Sequence, residues 1–123
     1  MRQAFAYEAE LVMAPDADAR APGAAITVAL CGHWDHEPPC PLAPHHSQAE
    51  RVGSDVRVRT LFAVEPDKET GVRQLIDNAL RDGELDGPDN VTTRWELRRS
   101  HRAEVSAQET DHAASLIQTT RSR

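Results

Sequence analysis

Aromatic side chains are scarce in this chain: two Trp, one Tyr and two Phe among 123 residues. Any core must therefore rest on Val, Leu, Ile and Ala, with Phe5, Tyr7, Trp34, Phe62 and Trp95 as its only large rings. A basic excess is also missing. The formal net charge of -6 argues against a general nucleic-acid binder, because phosphate neutralisation needs positive charge. No apolar run is long enough to span a bilayer. Glu8 and Glu10 interrupt the first apolar segment, so it lacks the continuous h-region of a signal peptide. These absences lead to the expectation of a protein without a membrane segment in a cytoplasmic, reducing compartment. There is no P-loop, no G-x-G-x-x-G, no G-x-S-x-G and no internal repeat. The commonest nucleotide-binding, serine-hydrolase and solenoid signatures are thereby excluded.

Cysteine is rare as well, and its placement is informative. Both cysteines, four of the six histidines and four of the eight prolines fall between Cys31 and His46. In a reducing compartment two such cysteines suit metal ligation or free thiols better than a disulfide. Thiolates and neutral imidazoles are the ligands of zinc and, among softer ions, of copper(I).

The length accommodates one domain. From Ala4 to Met13 apolar residues alternate, with Phe5, Tyr7, Ala9, Leu11 and Met13 on one face and Glu8 and Glu10 on the other; period two predicts a half-buried strand. Pro15 to Gly23 reads as a loop. Ala25 to Cys31 alternates again through Ile26, Val28 and Leu30, which predicts a second strand in an antiparallel hairpin with the first. Gly32 then opens a Cys/His/Pro-rich loop over residues 31–50. Val56 to Val64 predicts a third strand, ended by Pro66. Val72, Leu75, Ile76, Ala79 and Leu80 have helical spacing up to a stop at Gly83. Glu84 to Asn90 reads as a loop, and Val91 to Val105 as one long strand with Trp95 inward. Ser106 and Glu109 form a capping-box pattern before a last helix carrying Ala113, Leu116 and Ile117.

The predicted architecture is an α+β two-layer sandwich. A mostly antiparallel four-stranded sheet has two helices on one face, in the order β-β-β-α-β-α. One domain covers 1–120, with a frayed tail at 121–123.

Cys31 and His33 lie two apart at the end of an expected strand. His36 can fold back across a turn, and Cys40 follows four residues later. Two thiolates and two imidazoles would complete a tetrahedral zinc site. His45 and His46 are candidates to replace either imidazole, and Asp35 and Glu37 to orient a ligating ring. The spacing is not that of a zinc finger. Against the site stands the reading of a solvated polar loop. Arg94, Arg98 and Arg102 read as a solvated face interleaved with Glu96 and Glu104, and His112 as a surface residue.

The run Cys31-Gly32-His33-Trp34-Asp35-His36 resembles the H-x-H-x-D-H zinc motif of the metallo-β-lactamase superfamily, with cysteine in the first position. The likeness is local. The chain is far shorter than that fold, Glu37-Pro38-Pro39 does not continue as the family's helix, and the family's later ligands have no counterpart. What it implies is that this spacing can hold a metal, with Asp35 as a ligand or base.

Three functions follow as expectations. The first is a small metal-binding domain, zinc favoured and copper an alternative, acting as an accessory, sensor or adaptor. The second is a metalloenzyme with an open coordination position, using Asp35 or Glu37 as general base. The third is a homodimeric or partner-binding module without metal, docking through a sheet face that carries Ala4, Ala6, Val12, Ala29, Leu61 and Ala63 among charges.

Overall fold

Strand β1 (Gln3–Val12) follows the alternation of its sequence. Tyr7, Ala9, Leu11 and, just beyond the strand, Met13 point into the main core, and Ala6 is buried on the other side. The computed structural model describes residues 2–31, 45–87 and 90–119. Within them α1 (Ala21–Cys31), β2 (His45–Val52), β3 (Asp55–Val64), α2 (Glu69–Asp82), β4 (Glu84–Asp86), β5 (Thr92–Arg94), β6 (Glu96–Ala103) and α3 (Thr110–Thr119) follow in order.

The four-stranded sheet has the order β2-β3-β1-β6 and is antiparallel throughout. β1 runs parallel to β2 with β3 between them, and β3 runs parallel to β6 with β1 between them. The connectivity is thus two interlocked split β-α-β units, with the small β4–β5 hairpin inserted before the last strand. The α+β class and the antiparallel sheet agree with the sequence reading. Helices α1 and α2 share one face, packing on the core of Tyr7, Leu11, Val56, Val58, Phe62, Ile76 and Leu80. Helix α3 lies on the other face, where Leu116 packs on Ala6, Leu61 and Ala63.

Several expected elements are corrected. Residues Ala25 to Cys31 belong to a helix, so the hairpin with β1 does not exist. Asp18 accepts the backbone N–H of Arg20 and its carbonyl accepts that of Ala21, a turn that launches α1. Pro22 sits in the first turn, where its missing N–H removes no helical bond. Ala21 and Ala25, and Pro22, Ile26 and Leu30, form two buried ridges at spacings of four. Gly23 lets α1 approach β2 closely: a Cβ there would lie 3.2 Å from that of Ser47.

The fourth strand is β2, inside the segment expected to be loop from 31 to 50. It pairs with β3 across a two-residue turn with Gly53 at φ +63°, the glycine-first pattern of a tight hairpin. The acidic segment after Gly83 forms β4, paired with β5. The long strand expected from Val91 to Val105 is accordingly two, broken at Trp95, with Arg98 bulged out between the Leu11–Leu97 and Glu10–Arg99 pairs. Val91 is exposed rather than inward.

Other expectations stand. Gly83 ends α2 with φ +74°, and the Ser106–Glu109 capping box precedes α3. Trp95 is buried, and its indole N–H donates to the Leu80 carbonyl at 2.9 Å. The face read as open to a partner is covered by α3 over Ala6, Leu61 and Ala63. Its uncovered part is charged, with Glu10 paired to Arg99 and Glu50 to Arg57. No helix among the described residues is long and apolar enough to cross a membrane. The tail at 121–123 lies outside the described residues.

Candidate metal centre

The ligand-rich segment begins at the end of α1 and finishes at the start of β2. Cys31 is the last residue of α1, not the end of a strand. His33, Asp35, His36, Glu37 and Cys40 lie outside the described residues, as does Trp34. His45 and His46 open β2.

Pairing with β3 sets where the two histidines go. His45 stands opposite Phe62, whose ring is in the core beneath α1, and His46 stands opposite Leu61, which packs under α3. Neighbouring residues of a strand point to opposite faces, so the sheet separates the two imidazoles. His45 turns toward α1, where its Nε2 meets Thr27 Oγ1 at 2.9 Å. Thr27 is one helical turn before Cys31, so positions 27 and 31 share a face of α1. The Thr27–His45 bond therefore holds the two ends of the segment side by side.

The Thr27 hydroxyl donates to the Gly23 carbonyl at 3.2 Å. Thr27 Oγ1 thus sits between the Gly23 carbonyl and the His45 ring. A ring N–H held by a protein oxygen, with the other nitrogen basic, is the arrangement that orients metal-ligating histidines. A cleft beside α1 is lined by Arg20, Thr27, His45, Ser47 and Val58 among others.

His46 lies on the other face. Its ring is 4.4 Å from that of His112, centroid to centroid, at 54°. Burial first, and then the neighbouring His112, push its pKa below the usual histidine value. His45 and His46, both candidate ligands, thus stand on opposite faces of the sheet. The His46–His112 contact was hidden in the sequence, because 66 positions separate the two and it needs both the β2–β3 register and the docking of α3 on the sheet. Among the described residues no group of three or more His, Cys, Asp or Glu is placed to hold a metal.

Two further clusters are polar but structural. Arg59 forms a two-bond bridge to Glu109 (2.7 Å each) and also donates to Glu8 (2.6 Å) and the Glu104 carbonyl (2.6 Å). Hydrogen bonds from Arg59 hold the Glu109 carboxyl down at about 2. Asp77 of α2 accepts from Tyr7 (2.7 Å), Ser100 (2.7 Å) and Arg81 (2.6 Å). Burial alone would raise the Asp77 pKa, but those three donors outweigh it and the pKa is lowered. Burial pushes the Tyr7 hydroxyl up to about 12. Arg94 and Arg102, on the expected solvated face, pair with Glu84 and Glu69. Comparison with known proteins identified no matching family, no similar curated protein and no similar solved structure.

Proposed function

We propose that this chain is a small metal-binding domain, zinc favoured, in which Cys31, His33, His36, Cys40 and His45 supply the ligands. It would serve as an accessory, sensor or adaptor. The observation that supports this reading is the Thr27–His45 hydrogen bond. It draws together the two ends of a segment that carries both cysteines. Five candidates exceed the four that a tetrahedral site takes, so one of His33, His36 and His45 is left over. His45 opens β2 beside α1, hydrogen-bonded to Thr27. The ligand set omits His46, which the strand turns away.

The test is elemental analysis of untagged, reduced full-length protein produced in zinc-supplemented medium. One zinc per chain is expected, and Cys31→Ser or Cys40→Ser should abolish it. Metal-free wild-type protein would overturn the reading. Four protein ligands would mark the site as structural, and three with a water as catalytic.

A further inference from the structure

A second place brings imidazoles together, independently of the loop. His46 reaches it from β2, and His112 from the second helical turn after Ser106. Gln48 is two residues beyond His46 on the same strand face, and Gln108 one turn before His112. These four side chains line one cleft, floored by Arg59 and Leu61. The supports on both sides are firm. β2 is held by its ladder with β3. The leading turn of α3 is pinned by the bidentate Arg59–Glu109 bridge and its far end by Leu116.

We propose that His46 and His112 form a second metal site, on the sheet face opposite the first, for a divalent transition ion such as zinc. Two imidazoles on one tetrahedral zinc, with bonds of about 2.0–2.1 Å, have their ligating nitrogens roughly 3.3 Å apart. The rings are 4.4 Å apart, centroid to centroid, and tilted by 54°, so sharing an ion asks both side chains to turn about both of their torsions and open slightly. The local charge suits a cation. The Arg59 guanidinium faces two carboxylates, Glu8 and Glu109, which leaves one negative charge in excess. Both Glu109 oxygens are committed to Arg59, so the remaining coordination positions fall to the amide oxygens of Gln48 and Gln108 or to water. A site with two imidazoles and no thiolate binds more weakly than the loop and exchanges its ion. It would fasten α3 to the edge strand when metal is abundant.

The experiment is a zinc titration of full-length reduced protein as wild type, as His112→Ala and as the Cys31→Ser/Cys40→Ser double variant. Histidine ring resonances and calorimetry are the readouts. His112 is exposed, so its replacement leaves the fold intact, and a thermal melt verifies this. The wild type should take a second, weaker equivalent that perturbs His46 and His112 but not His101. His112→Ala should weaken that equivalent at least tenfold and keep the first. The double cysteine variant should keep the weaker equivalent alone. An undiminished second equivalent in His112→Ala, or no second equivalent in the wild type at millimolar zinc, overturns the proposal. Failure of the loop reading looks different: the tight equivalent is missing while the His112-dependent one remains. A His46→Gln variant behaving like His112→Ala supplies the independent check.

Discussion

At the scale of single residues, Trp95 shows how one side chain serves two purposes. Its ring fills the end of the core between α2 and the sheet, at 7% exposure, and its indole N–H binds the Leu80 carbonyl. That carbonyl belongs to the last turn of α2, where no intrahelical partner remains. Gly83 completes the junction. Its φ of +74° favours glycine, and a Cβ there would meet the Trp95 carbonyl at 2.8 Å. Trp95→Ala should therefore destabilise the protein by about 3–5 kcal/mol, read as a lower urea midpoint. A change within about 0.5 kcal/mol, as at an exposed site, would contradict this packing. Thr27 acts at the same scale on the candidate site. Thr27→Val keeps the shape of the side chain but removes the hydroxyl that holds the His45 ring. Loss of an outer hydrogen bond of this kind costs roughly 10- to 100-fold in metal affinity. Competition with a chelator measures it, and an unchanged zinc affinity would exclude His45 as a positioned ligand.

At the scale of elements, legibility followed burial. β1 and the first half of β3 alternate buried with less buried positions, and α2 buries one face, so their periods of two and 3.6 are visible in the sequence. α1 is apolar or small on nearly every side, and its Ile26, Val28 and Leu30 imitate a strand. Its helical identity came from the Asp18–Pro22 start and from packing against α2 and β2. β2 is an edge strand with no position fully buried, so its polar sequence carried no alternation. Only Gly53 and Ser54 marked its hairpin. The two misreadings have one source, since α1 replaced the second strand and β2 took its place in the sheet. The attachment of α3 is open to test. With its carboxyl held at about 2 against an ordinary 4.5, Glu109 contributes stability fully present above about pH 4.5 and lost as pH falls toward 2. Glu109→Gln should cost about 1–3 kcal/mol at neutral pH, the range for a hydrogen-bonded charge. It should also flatten the acid limb of the stability profile between those two values. Acid unfolding curves of the two proteins that run parallel would contradict a docking role for the Arg59–Glu109 bridge.

At the scale of the molecule, two split β-α-β units give a sheet with a different helix layer on each face. β2 lies at its edge with one histidine toward each layer. The concentration of Cys31, His33, His36 and Cys40 was legible as composition. The assignment of His45 to one face and His46 to the other was not, because it depends on the register of β2 against β3. In the proposed site, thiolates and imidazoles from Cys31 to His45 would share one zinc. X-ray absorption spectroscopy of full-length reduced protein loaded with a single equivalent of zinc tests it most directly. A mixed shell of two sulfurs at about 2.3 Å and two nitrogens at about 2.0–2.1 Å is expected, with sulfur scattering reduced in Cys31→Ser. A shell of nitrogen and oxygen alone in the wild type would contradict it.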